Sequence, residues 1–251
     1  HYANAMQFYR AAEIALEHAD LHPPYPATHP HLPADHPRTI RVQEVRKVTP
    51  AWWAEWLQTQ LEIDLVHYWL GEIEESAALQ RRLQPLVEQY ATPGQQAAFF
   101  QRRGQLELRR HRHIATAEAV QHLQRSFAIY AAAGMQDSLP AAHFMLGFML
   151  LWHDDLDVAA DELQTTLQLA KQHGDLSLQT RALTYLTIAA RRRDQVEATQ
   201  ALVTQALTAA SHAHMPEYSA LARANQAWLA WRQRDYAAVR EHGAVALALW
   251  Q

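Results

Sequence analysis

Between residues 134 and 251 one arrangement recurs three times. A helical run rich in small and apolar residues gives way to a short turn carrying an acidic residue, and a second run then opens on a small residue. The turns read Asp154-Asp155-Leu156-Asp157-Val158-Ala159, Arg193-Asp194-Gln195-Val196-Glu197-Ala198 and Arg234-Asp235-Tyr236-Ala237-Ala238-Val239. Matched on Asp155, Asp194 and Asp235, they lie 39 (155 to 194) and 41 (194 to 235) positions apart. A period in that range constrains the fold more than any other feature. Each unit is a pair of helices too small to bury its own apolar face, so neighbouring units must stack to share one core.

The rest of the chain can be read against that period. Residues 2 to 20 predict a helix, with Tyr2, Ala5, Phe8, Tyr9, Ala12 and Leu16 recurring every three or four positions. The opening His1-Tyr2-Ala3-Asn4-Ala5 resembles the turn at Asp235-Tyr236-Ala237, so residues 1–21 read as the second helix of a truncated hairpin. Residues 22–49 form a Pro/His-rich loop or linker. Seven of the eleven prolines fall between 23 and 50, and each fixes its own φ, removes a donor and disfavours helix at the residue before it. Helix resumes at Thr49-Pro50 and runs to a turn at Gly71-Glu72-Ile73. A partner helix spans Ser76 to Tyr90, and Pro93-Gly94 closes it. A less regular hairpin follows, with helices over Gln95–Arg110 and Thr116–Ala133. Residues 50–251 thus form one helical repeat array. With the first helix the count is about five and a half hairpins of period near 40, all α and without strands. An apolar stripe runs to Trp250 with no stop signal, so both ends read as cut from a longer array and self-association through exposed repeat ends is expected.

Composition narrows the function classes. A net charge of −4 and a pI near 6.5 argue against a dedicated nucleic-acid binder. With no cysteine there are no disulfides, thiolate metal sites or thiol catalysis. No apolar run approaches a membrane span, and no signal peptide opens the chain, so a cytoplasmic location is expected.

Within the period, the residues at the helix crossings resemble the tetratricopeptide repeat. That family places a Leu-Gly pair in the first helix, an alanine twelve positions after the glycine to open the second, and a large apolar residue four further on. Leu146-Gly147, Ala159 and Leu163 fit this spacing; Tyr185-Leu186, Ala198 and Leu202 stand at the corresponding places in the next hairpin, and Gln226-Ala227, Val239 and Gly243 in the last. Small residues stand where two helices cross closely, and larger ones fill the gap between hairpins. The runs Phe144-Met145-Leu146-Gly147-Phe148 and Ala224-Asn225-Gln226-Ala227-Trp228-Leu229-Ala230-Trp231 are similar to the repeat regions of large bacterial signalling ATPases, transcriptional regulators and nucleotide cyclases. The resemblance implies a right-handed superhelix of antiparallel hairpins whose first helices line a concave, ligand-bearing face. No phosphate-binding Gly-x-x-x-x-Gly-Lys-Ser/Thr loop is present in this chain.

On that implied face, the positions counted from the Leu-Gly anchor are Phe144, Phe148, Leu151 and Trp152. In the next hairpin they are Leu183, Thr187, Ala190 and Arg191, and in the last Ala224, Trp228, Trp231 and Arg232. The candidate binding set is Phe144, Phe148, Trp152, Thr187, Arg191, Trp228, Trp231 and Arg232, since aromatic anchors beside arginines compose binding hot spots. The same tryptophans also suit packing under a neighbouring repeat. The Lys/Asn clamp that some family members use for a chain-terminal carboxylate is absent from these positions.

Other chemistry reads as weaker. His18, His22, His29, His31 and His36 cluster near the prolines, and His18/His22 has the i, i+4 spacing of a zinc pair. With no fixed geometry and few carboxylates nearby they predict adventitious binding and no physiological metal. Arg109, Arg110, His111, Arg112 and His113, and also Arg191-Arg192-Arg193, read either as anion-holding clusters or as solvated basic hairpin tips. Asp154, Asp155 and Asp157 suit helix capping. No Gly-x-Ser-x-Gly, His-Glu-x-x-His or dinucleotide loop occurs, so no catalytic residue, cofactor or metal is assigned. The expected function is a non-enzymatic module that binds a protein or peptide, or a small effector, within a larger signalling or transcription-regulatory protein. No nucleic acid and no membrane is expected as a direct partner. The competing expectations are a purely structural array packed against its own parent and, more remotely, an enzyme with a site assembled between helices.

Overall fold

In the computed structural model the described residues are 2–18 and 49–250, and among them every regular element is helical. The Pro/His-rich stretch, with His22, His29, His31 and His36, lies outside the described residues, as does the side chain of His18. The helices are α1 (Tyr2–His18), α2 (Pro50–Leu70), α3 (Ile73–Tyr90), α4 (Pro93–Arg110) and α5 (Ala117–Ala132). After a 3₁₀ turn at Gln136–Ser138 come α6 (Leu139–His153), α7 (Leu156–Gln172), α8 (Leu176–Arg192), α9 (Val196–His212), α10 (Pro216–Arg232) and α11 (Tyr236–Trp250). The chain divides into two compact units, residues 1–106 and 107–251, with the boundary inside α4.

In the first unit α2 packs against both α1 and α3. Thr49 caps α2 by accepting from the Trp52 amide, and Pro50 sits in its first turn, where the missing N–H costs nothing. Gly71, at φ +79°, ends it. The sequence places Pro93-Gly94 as the close of α3, whereas in the structure Pro93 opens α4. Thr92 and Gln95 form a reciprocal cap, with the Gln95 amide donating to Thr92 Oγ1 at 3.4 Å and the Thr92 amide donating to Gln95 Oε1 at 3.1 Å. Trp52, Trp53 and Trp56 turn inward as one buried aromatic block, with Tyr90 stacked on Trp53.

The second unit is a run of hairpins in which each helix from α6 to α11 packs on the next. The first helices also meet one another, α6 on α8 and α8 on α10. Its period is written in the backbone. Left-handed residues fall at Gly134, Gly174 and His214 between hairpins, and at His113, Asp154, Asp194 and Arg234 within them. From Gly134 onward, and again from Asp154 onward, the step is 40 residues (134, 174, 214; 154, 194, 234). Each such residue reverses the chain at the end of a helix, the place where L-residues other than Gly are used sparingly.

This rhythm corrects the register given by the acidic residues. Asp154, Asp194 and Arg234 are the equivalent positions, and so are Asp155, Gln195 and Asp235. Matching Asp155 to Asp194 therefore displaces the middle hairpin by one residue. The equivalents of Gly147 are Thr187 and Ala227, and those of Ala159 are Thr199 and Val239. Burial agrees: Thr199 and Val203 are buried, while Ala198 is exposed and Leu202 only half-buried.

The close crossing that the Leu-Gly pair suggests is present. A Cβ added at Gly147 would meet Leu163 Cγ at 2.9 Å, Glu162 Cβ at 3.0 Å and the Ala159 carbonyl oxygen at 3.2 Å. Only hydrogen fits there, and α6 and α7 approach accordingly. Ala159 and Leu163 are fully buried at the same crossing.

Candidate ligand-binding face

The first helices of the second unit's hairpins, α6, α8 and α10, carry the candidate residues. With the step of 40, the four face positions are 144, 148, 151 and 152 on α6; 184, 188, 191 and 192 on α8; and 224, 228, 231 and 232 on α10. The residues assigned on α6 and α10 keep their register. On α8 the face consists of Thr184, Ile188, Arg191 and Arg192, and Arg191 is shared with the assignment made from sequence. Thr187 is fully buried at the helix crossing, where its hydroxyl donates to the Leu183 carbonyl at 2.8 Å. Leu183 and Ala190 are buried too.

Exposure grades along the face. Phe144 is only 2% exposed and Leu151 is fully buried; Phe148, Trp152, Arg191 and Trp228 are half-buried; Trp231 is 54% exposed, and Arg232 and Ala224 are exposed. The sequence set therefore separates into a buried pair, Phe144 and Thr187, and six residues with accessible surface.

The aromatic residues of α6 and α8 are one cluster. Phe144 and Phe148 stack at 6.1 Å between centroids, Trp152 meets Phe148 edge-on at 6.1 Å, and Tyr185 packs against Phe148 at 4.8 Å and Phe144 at 5.7 Å. The Arg181 guanidinium lies 4.2 Å above the Phe144 ring. Sequence reasoning missed Arg181 and placed Tyr185 only at a helix crossing, not on the candidate face. Their i, i+4 spacing marks one helical face, but only the inter-hairpin packing shows that this face meets Phe144 and Phe148. Burial, with the nearby Tyr218 adding to it and Arg181 opposing it, pushes the Tyr185 phenol up to about 12.

Arginines next to the hairpin turns divide into two kinds. Arg192 bonds back to the preceding hairpin, donating to Asp154 Oδ1 at 2.8 Å and to the Leu151 carbonyl, and Arg193 reaches Asp157 at 2.7 Å. Arg232 repeats the contact on Asp194 at 2.9 and 3.0 Å and also lies 5.6 Å from the Trp228 ring. These are inter-hairpin clasps, where the sequence left open an anion site or a solvated tip. Arg191 is different: half-buried, its pKa is lowered by burial first and by the neighbouring Arg192 second. At the earlier basic turn, His111 and Arg110 pair with Glu107 near the end of α4 at 3.5 and 3.4 Å.

The first unit holds a buried polar network. Asp64, 1% exposed, accepts from Ser76 Oγ at 2.5 Å and Gln80 Nε2 at 2.9 Å. Gln60 bridges Glu13 of α1 and Arg82 of α3. These bonds tie α2 to its neighbours. A separate open groove lined by Ala12, Ala15, Ala54, Glu55, Gln58, Thr59 and Gln95 is mostly aliphatic. Among the described residues no three His, Asp or Glu side chains converge as metal ligands, and no helix is long and apolar enough to cross a membrane.

No family model matches the chain, and no curated protein matches it. Among solved structures it is similar to the crystal structure of BtubC (BKLC) from P. vanneervenii, with a TM-score of 0.65 and 12% identity over 80% of this chain and 82% of that one. At that identity the likeness shows the fold alone, an all-α array of helical hairpins.

Proposed function

We propose that this chain is a non-enzymatic binding module of a larger, cytoplasmic, bacterial signal-transduction or transcription-regulatory protein. It takes a protein or peptide segment, or a small effector, on the face built by α6, α8 and α10. The observation that carries the reading is the row of half-buried and exposed aromatics and arginines at repeating positions: Phe148, Trp152, Arg191, Trp228, Trp231 and Arg232. Rigid aromatic surface beside guanidinium groups is the composition of interface hot spots, and repeat arrays present it along extended faces. Flexing between stacked hairpins then passes the binding event to an attached domain.

A second reading, a structural array packed on its own parent, has one observation in its favour. In the last hairpin Trp231, Tyr236, Leu247 and Trp250 are all exposed, Trp250 at 63%, so a large apolar surface awaits a cover.

The two readings separate in a thermal-shift screen of peptides, nucleotides, sugars and metal ions on wild type and the Trp228→Ala/Trp231→Ala double mutant. Binding predicts a ligand-dependent rise in Tm that disappears in a mutant with an unchanged baseline Tm. A double mutant that fails to fold, or no shift with any compound, favours the structural array.

A further inference from the structure

Arg181 occupies an unusual position for a cation. Its guanidinium lies on the Phe144 ring, and its Nε is buried without a hydrogen-bond partner. The ion pairs and side-chain hydrogen bonds among the described residues include none to Arg181, whereas Arg192, Arg193 and Arg232 each close on an aspartate. One helical turn on, Tyr185 packs against the same two phenylalanines, and Tyr218 of α10 is near enough to act on its phenol. Among the described residues neither phenol is engaged in a hydrogen bond, and no carboxylate is among the charges felt at Tyr185. Beside this group runs the apolar strip of Phe148 and Trp152, whose indole Nε1 is also buried without a partner.

The Arg181 guanidinium and the Tyr185 phenol against an aromatic floor, with the Tyr218 phenol acting on Tyr185, bring donors together with no carboxylate acting on that phenol. A guanidinium matches a carboxylate bidentately, and a phenol O–H supplies a further donor. The flanking Phe148–Trp152 strip suits an apolar side chain next to that carboxylate. With one guanidinium in the group and no second cation acting on Tyr185, the site suits a monoanion better than a phosphate dianion.

We propose that Arg181, Tyr185 and Tyr218 form a carboxylate-binding subsite, which takes an acidic group of a peptide whose neighbouring apolar residue lies against Phe148 and Trp152. The inference rests on the binding-module reading and specifies its ligand.

The test measures fluorescence polarisation with three labelled peptides. The first is Gly-Ser-Leu-Glu-Phe-Glu-Leu-Ser-Gly with an amidated C terminus, the second its Gln-for-Glu counterpart, also amidated, and the third the Gln peptide with a free C terminus. Inorganic phosphate and acetate serve as competitors. The Glu peptide is expected to bind about tenfold more tightly than its amidated Gln counterpart. Arg181→Gln is expected to erase that preference, Tyr185→Phe to reduce it severalfold, and Arg193→Gln, at the turn, to leave it unchanged, all at near-wild-type Tm. Tighter binding of the free-terminus peptide would place the carboxylate at a chain end, and tighter binding of the Glu peptide on a side chain; both support the subsite. Equal binding of all three peptides overturns the subsite while leaving the groove standing. Phosphate competing far better than acetate overturns the choice of a carboxylate. Absence of binding by every peptide overturns the subsite, and the broader screen then decides the binding module separately.

Discussion

Arg192 donates to Asp154 at 2.8 Å across the joint between consecutive hairpins, and forty residues later Arg232 does the same to Asp194 at 2.9 Å. Both acceptors sit in the left-handed turn of the preceding hairpin, at φ +76° and +57°. At the next step the turn residue is Arg234, so the acceptor of the series gives way to a cation. One repeat back the series takes an apolar form: Trp152 packs near His113, the left-handed residue of the earlier turn, at 6.3 Å.

The clasp fixes register between hairpins more than it stabilises them. The Arg232–Asp194 pair is solvent-exposed, and such pairs contribute roughly 0.2–1 kcal/mol. A double-mutant cycle with Arg232→Ala and Asp194→Ala in urea is expected to return a coupling near the low end of that range, shrinking at high salt. A coupling above about 2 kcal/mol would mean that the clasp holds the stack together.

The inter-hairpin turns offer a stabilising substitution. His214 stands at φ +53°, where Gly134 and Gly174 stand in the two preceding hairpins. The left-handed conformation costs a non-glycine residue about 1–2 kcal/mol, partly offset by the greater chain entropy glycine loses on folding. His214→Gly is therefore expected to stabilise by about 0.5–1 kcal/mol in chemical denaturation. A loss of stability would show that the histidine makes a compensating contact.

Gly147 is the opposite case, a helical glycine required for space. Gly147→Ala forces Leu163 and the Ala159 carbonyl apart and is expected to cost about 1–3 kcal/mol, measured by the urea midpoint. Ala at the equivalent position 227 is already the native residue, so Ala227→Gly should cost at most about 1 kcal/mol, the helix-propensity penalty.

These positions show what the residues reveal in order and what they hide. Helical hairpins of period near 40 follow from apolar spacing, prolines and turn residues, because those features act locally. The register of the middle hairpin does not. Asp154 and Asp155 are adjacent, and only the sign of φ tells which is equivalent to Asp194. Matching on the acidic residues puts Thr187 on the candidate face although it is packed at the helix crossing, and leaves out Thr184, Ile188 and Arg192. The role of Arg181 and Tyr185 on this face is hidden for another reason: their partners Phe144 and Phe148 are about forty positions away, and no short-range pattern encodes a contact between hairpins. Arg192 and Arg193 looked like a solvated tip because their aspartates belong to the preceding hairpin.

Asp64 gives the first unit a signature in pH. Burial raises its pKa above the ordinary carboxylate value, and the hydrogen bonds from Ser76 and Gln80, with Arg102 and His67, oppose that rise without cancelling it. The folded state therefore holds the proton more tightly than the unfolded chain. The stability this contributes is complete below the unfolded pKa of about 3.9 and is lost as pH rises through the folded value. Asp64→Asn removes the titration, so the Tm of the variant minus that of wild type is expected to grow from pH 4 to pH 7. A difference that falls with pH would contradict the assignment.

The binding face is tested most directly by hydrogen exchange on the protein with and without saturating Glu-containing peptide. Slowed exchange is expected in α6, α8 and α10, centred on residues 144–152, 181–192 and 218–232, with α7, α9 and α11 unchanged. Protection confined to α7, α9 or α11, or none anywhere, would contradict the claim that the first helices form the binding face.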